Sequence, residues 1–143
     1  MSSTHIPKEL RSRLEEIACG CCEYCQTLVA ATSAPPTIDH IQPQSLGGPT
    51  VFENLAFSCF GCNLTKGVRV EALDPATSRS TPLFHPRRQR WRDHFVWSAD
   101  MTLVLGITPT GRATARALEL NRAGLPLWRA VFHIAGLHPP PEW

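Results

Sequence analysis

Three features of the sequence predict an α+β fold: two cysteine pairs of the form C-x2-C, short β-patterned runs between them, and amphipathic helical patterns on either side. The pairs are Cys22/Cys25 and Cys59/Cys62. Two strands followed by a helix make a small unit that the cysteines clamp, covering about residues 17–68. Residues from about 69 to 143 form an extension of a short β-hairpin and two helices. With 143 residues, 43% of them hydrophobic, the chain is sized for a single domain with its own core and is too short for two.

Each element has a local cause. Pro7 suits a first helical turn, and Leu10, Leu14, Ile17 and Ala18 recur at i, i+4, i+7 and i+8 along an amphipathic helix that Gly20 ends. "ATSAPPT" is a loop, because Pro35 and Pro36 cannot continue regular structure. A short strand follows over about residues 37–41. "PQSLGGP" is rich in turn residues, "VFENLAFSC" holds a turn and then a second short strand, and a helix starts near Asn63. In the extension, residues 94–97 and 101–105 pair as a hairpin across residues 98–100, with Phe84 in a neighbouring strand. Thr108 and Pro109 start a helix that runs to about Asn121. Gly124 separates it from a last helix with an apolar face of Leu127, Val131, Ile134 and Ala135.

"MSSTHIPKEL" has neither the basic start nor the apolar run of a secretion signal, so a cytoplasmic location is the expectation. In a reducing compartment, two C-x2-C pairs point to metal rather than to disulfides, and zinc is the first choice. Four thiolates leave no open position for water, which makes that zinc structural. Cys19 and Cys22 also have C-x2-C spacing. Cys22/Cys25 is the preferred pair, because Cys19 falls in the last helical turn, where a small buried apolar residue is expected; Cys21 has no clear role.

Charge is uneven along the chain. Residues 1–68 carry four Lys/Arg against six Asp/Glu, and residues 69–143 carry ten Arg against six Asp/Glu, so the halves stand at −2 and +4. A positive surface must come mainly from the second half. The densest group is "PRRQRWRDHFVW", with Arg87, Arg88, Arg90 and Arg92 interleaved with Trp91 and Trp97. It suits a duplex-gripping edge, each arginine neutralising a phosphate, and it also suits a charged, solvated strand edge. A weaker signal places Arg112 and Arg116 on one helical face.

Between the cysteine pairs stand Asp39-His40 and Asn54, with Asn63 and Lys66 just after. "CEYC", "DHIQPQSLGG", "ENL" and "CFGCNLTKG", in that order, resemble the HNH endonuclease family in the branch whose ββα-metal unit is bracketed by two C-x2-C pairs, a treble-clef-like core. The resemblance covers about residues 22–67. It implies His40 as general base, Asp39 and Asn63 as ligands of a catalytic divalent cation, Asn54 as the residue orienting the His40 imidazole, and Lys66 as a phosphate contact. The family often has His where this chain has Asn63, and two protein ligands favour a water-rich Mg2+ or Mn2+ site.

Strand geometry agrees with separate roles. Neighbouring strand residues point to opposite faces, so Asp39 and His40 do not both ligate one ion on a regular strand. An imidazole with a pKa near ~6.5 is a suitable base at neutral pH. The expected function is hydrolysis of DNA phosphodiester bonds, with double-stranded DNA as partner. A one-site nuclease making double-strand breaks must act twice or form a homodimer. The alternatives are a non-catalytic zinc-clamped nucleic-acid-binding module and an RNA-directed nuclease.

Overall fold

The computed structural model describes residues 5–141. Helix α1 (Lys8–Ile17) begins directly after Pro7, which stands in the N-cap position. Leu14 and Ala18 are fully buried and Leu10 packs at the edge of the core, whereas Ile17 is 40% exposed. The inward stripe is therefore i, i+4, i+8, because α1 rests on the central hairpin along one narrow edge. Cys19 (φ 54°) and Gly20 (φ 73°) then take left-handed conformations in succession and turn the chain into the first cysteine pair. Cys19 lies outside the helix and is exposed, contrary to its expected burial, while Cys21 is buried and bridges to Leu28.

Strands β1 (Thr37–His40) and β2 (Leu55–Ser58) pair antiparallel, with Asp39 opposite Ala56 and His40 opposite Leu55. Helix α2 (Phe60–Lys66) follows β2 without a loop. It starts three residues earlier than the sequence suggests, because the Cys59 Sγ caps it by accepting from the Cys62 N–H (3.4 Å). Asn63 therefore sits in mid-helix and not at an anion-binding N-terminus.

The extension departs further from expectation. A hairpin of β3 (Glu71–Leu73) and β4 (Ser80–Pro82) precedes the arginine-rich segment. Asp74 organises its turn, accepting from the Ala76 N–H and the Thr77 hydroxyl and taking the Arg112 guanidinium in two bonds of 2.9 Å. Arg112 is thereby committed to the fold. Phe84 belongs to no strand; its N–H donates to Thr114 Oγ1 and its ring packs edge-on against Phe95. His94 ends a one-turn helix, α3 (Trp91–His94), and the expected hairpin forms with shorter arms, β5 (Phe95–Trp97) and β6 (Val104–Gly106).

Helix α4 (Pro109–Ala117) has Thr108 as its N-cap, accepting from the Gly111 N–H. It stops four residues short of Asn121, because Glu119 turns left-handed (φ 49°) and sends Leu120 back into the core. Helix α5 (Leu125–Ile134) overturns its sequence pattern. Leu127, Val131 and Ile134 are 68%, 54% and 88% exposed, and Ala135 is exposed too, whereas Arg129 is buried. Its guanidinium donates to Thr102 O, Asn121 Oδ1, Leu120 O and Cys25 O and lies 5.2 Å from the Trp97 ring, so α5 docks through a cation that ties five groups together. One buried cluster runs from Leu14 through Leu55, Phe57 and the cysteines to Phe95, Leu118 and Leu120. No helix among the described residues is long and apolar enough to cross a membrane.

Candidate functional site

The two C-x2-C segments form a pair of turns whose backbone amides point at sulfur. Tyr24 and Cys25 N–H lie 3.4 and 3.5 Å from Cys22 Sγ, and Cys62 N–H lies 3.4 Å from Cys59 Sγ. The Sγ atoms of Cys22, Cys25, Cys59 and Cys62 all fall within 4.8 Å of one another, with Cys25 and Cys59 3.7 Å apart. A tetrahedron with Zn–S bonds of about 2.3 Å has sulfur–sulfur edges of about 3.8 Å, so the four thiols fit a structural zinc. Cys22/Cys25 is the operative register. Sequence reasoning gave no sign of Arg122, which donates to Cys62 Sγ (3.5 Å) and Cys59 Sγ (3.3 Å). Its charge offsets the surplus negative charge of four thiolates around a dication. A Cβ at Gly61 would meet that guanidinium and push it from its place beside the sulfurs.

The same clamp positions the strand that bears Asp39 and His40. Asp39 is buried, and its Oδ2 takes both the Tyr24 hydroxyl (2.7 Å) and Lys66 Nζ (3.0 Å). Lys66 also donates to Ile41 O at 3.0 Å and is 1% exposed. It is thus a buried counter-ion that bolts α2 to β1, and the expected phosphate contact is corrected on that ground. Burial pushes the Asp39 carboxyl above the ordinary carboxylate value, against the pull of Lys66 and of the Tyr24 hydroxyl. Tyr24 is a partner that the motif contained without announcing it, since it is the third letter of "CEYC".

His40 takes the opposite face of β1 and is partly exposed, as strand alternation requires. Its Nε2 lies 2.9 Å from Thr50 Oγ1. Thr50, not Asn54, is the side chain on the ring. Asn54 clamps the loop after β1: its Oδ1 accepts from Gln42 N–H, and its Nδ2 donates to Gln42 O and Pro49 O. A 3-10 turn (Phe52–Asn54) aims its side chain across that loop. A Cβ at Gly48 would strike Gln42 O, so glycine is required where the loop closes on itself. Burial holds the His40 imidazole below its ordinary value; the Asp39 charge opposes this and the Lys66 charge adds to it.

Asn63 lies one helical turn before Lys66 and is half-buried on α2. A cleft of about 300 Å³ with a mixed lining opens between the loop after β1 and the arginine-rich segment, with Gln42, Asn54, Lys66, His85, Arg88 and Gln89 as its polar residues and Ile41, Val70, Pro82, Leu83 and Phe84 as its apolar ones. His85 had no distinguishing signal in the sequence; its Nδ1 accepts from the Arg87 N–H (3.3 Å).

The four arginines divide. Arg88, Arg90 and Arg92 are at least partly exposed. Arg87 has a side chain 7% exposed, is ion-paired with the buried Glu23, and stacks its guanidinium 5.1 Å from the Phe52 ring. Glu23 in turn accepts from the Phe57 N–H of β2. Arg87 therefore braces the zinc knuckle against the central hairpin, and its expected phosphate contact is corrected. Arg87→Ala leaves Glu23 buried without its partner, and a loss of about 3–5 kcal/mol of stability is expected. Thermal denaturation measures it, with Arg90→Gln as the surface control that changes Tm little.

A protein-family model described as HNH endonuclease matches residues 22–69. No curated protein and no solved structure matches the chain. The matched segment holds both cysteine pairs, the Asp39–His40 strand and the whole of α2, and over residues 22–69 this chain is similar to the HNH endonuclease family.

Proposed function

We propose that this protein is a metal-dependent endonuclease that hydrolyses DNA phosphodiester bonds, with His40 as general base. The observation that carries the reading is the disposition of β1: His40 stands partly exposed with its ring held by Thr50, on a strand that Lys66, Tyr24 and the four cysteines hold from behind. With Nε2–H donating to Thr50, Nδ1 is left to take a proton from water. Oδ1 of Asp39 and the Asn63 carboxamide are the groups to hold a Mg2+ or Mn2+ ion, because Oδ2 of Asp39 already has two partners. Such an ion stabilises the charge that develops on the phosphoryl oxygens and the leaving 3′ oxygen. Asn54 keeps the loop beside His40 closed, and Arg88 offers a phosphate contact in the adjoining cleft.

Conversion of supercoiled plasmid to nicked or linear DNA by the purified zinc-loaded protein, lost when Mg2+ and Mn2+ are withheld and restored when either is added, tests the activity. Cleavage of RNA alone would redirect it to an RNA nuclease, and binding without cleavage would leave a zinc-clamped binding module.

The base works only when unprotonated, so activity falls as pH drops through the His40 pKa. Because burial lowers that pKa, the acid limb of the rate profile is expected below pH ~6.5. An acid limb well above it would argue against His40. Replacing Arg88, Arg90 and Arg92 together by Gln is expected to weaken DNA binding uniformly across sequences. It should also flatten the log–log salt dependence by up to ~0.9 for each phosphate no longer neutralised. Affinity and slope both unchanged would return this segment to a charged surface edge.

A further inference from the structure

A second cleft, of about 290 Å³, lies away from His40, between the first cysteine turn and the β5–β6 hairpin. Its lining includes Gln26, Trp91, Arg92, Val96 and Trp97, with the proline run 139–141 closing one side. The aromatic wall is held in place before any ligand arrives. Trp91 Nε1 donates to Tyr24 O (3.0 Å), its ring stacks on Phe95 at 4.9 Å, and Trp97 lies 5.1 Å from it with Arg129 fixed nearby. Preset rings lose little freedom when something packs on them.

Gln26 supplies an independent sign of a ligand. It directly follows Cys25, adopts φ 66°, is 4% exposed, and its Nε2 has no hydrogen-bond partner among the described residues. Buried carboxamide donors are ordinarily satisfied. The volume is at the lower end of the ~300–1,000 Å³ typical of small-molecule pockets, which suits one planar ring system better than a peptide segment. The segment that provides Trp91 also carries Arg88, Arg90 and Arg92 on its solvent side, so the surroundings favour a ring attached to an anionic backbone.

We propose that this cleft takes an unpaired nucleobase of a single-stranded nucleic acid, packed on the Trp91–Trp97 wall with Gln26 Nε2 donating to the base edge. The proposal rests on the nucleic-acid reading above and adds a preference for single strands. It is tested with the zinc-loaded protein and no added Mg2+ or Mn2+, so that no strand is cut, by titrating the full chain with three labelled probes: a short single strand, an abasic strand of equal length, and a duplex. Wild-type protein is expected to bind the base-bearing strand about tenfold or more tighter than the abasic one, the loss typical of removing a stacked base. That strand alone should quench tryptophan fluorescence. Val96→Trp fills the cleft from an exposed strand position, and Gln26→Leu removes the donor. Each should reduce the preference while leaving abasic and duplex binding unchanged.

Equal affinity of wild-type protein for the base-bearing and abasic strands, alongside duplex binding, overturns the cleft and spares the nucleic-acid reading. Failure to bind any of the three overturns both. A preference untouched by either variant, or one that emerges only in a chain shortened to Pro141, also overturns the proposal.

Discussion

Cys59→Ser is expected to leave no natively folded protein. The four thiols meet at the centre of the buried cluster, and zinc bound by such a set contributes about 10–16 kcal/mol in zinc-finger peptides, as much as the whole stability of an ordinary domain. Cys59 also caps α2 and receives Arg122, so one substitution removes a metal ligand, a helix cap and the anchor of the chain entering α5. Far-UV circular dichroism and the zinc content of the purified chain measure the outcome: less than one zinc per chain, and a collapsed or aggregated product. Stripping the metal from wild-type protein with a strong chelator should have the same effect. A soluble, metal-free Cys59→Ser protein with a native spectrum would show that packing alone holds the fold.

His40→Ala is expected to separate chemistry from structure. The side chain is partly exposed and its one hydrogen-bond partner among the described residues is the Thr50 hydroxyl, so the fold should tolerate its loss. Removing a general base typically costs ~10²–10⁴-fold in rate. Plasmid cleavage should therefore fall by that factor while the melting temperature and DNA affinity stay close to wild type. Thr50→Val offers a graded companion: it leaves the imidazole in place but frees its ring, and a smaller loss is expected. Wild-type cutting by His40→Ala would remove this residue from the mechanism, whatever the family's pattern implies.

Most of the central unit was legible along the chain. Cysteine spacing is a local property, and so is the alternation that puts Asp39 and His40 on opposite faces of one strand. Turn chemistry placed the first strand of the central hairpin within a residue of where it is and the second inside "VFENLAFSC". What the chain did not announce is where one element reaches across to another. Lys66 looks like a surface cation one turn after Asn63, and it becomes the buried partner of Asp39 only because α2 lies against β1. Arg87 stands among four similar arginines, and Glu23, over sixty residues earlier, withdraws it from solvent.

The last helix carries the contrast furthest. By itself the sequence determined that a last helix follows Gly124, since that glycine and the apolar spacing act within a few residues of each other, and the helix runs over Leu125–Ile134. It also determined the zinc ligands and the two faces of β1. Which side of α5 turns inward was decided by the tertiary structure: Arg129 finds four acceptors and an aromatic face, while Leu127, Val131 and Ile134 find solvent. The physical reason is that carbonyls stranded by the irregular ends of α4 and the first cysteine turn need a donor, and a guanidinium satisfies several at once. An apolar stripe offers no way to satisfy them. Hydrophobic periodicity encodes a helix's own geometry, and it holds no information about the unpaired polar groups that distant segments bring to the same place.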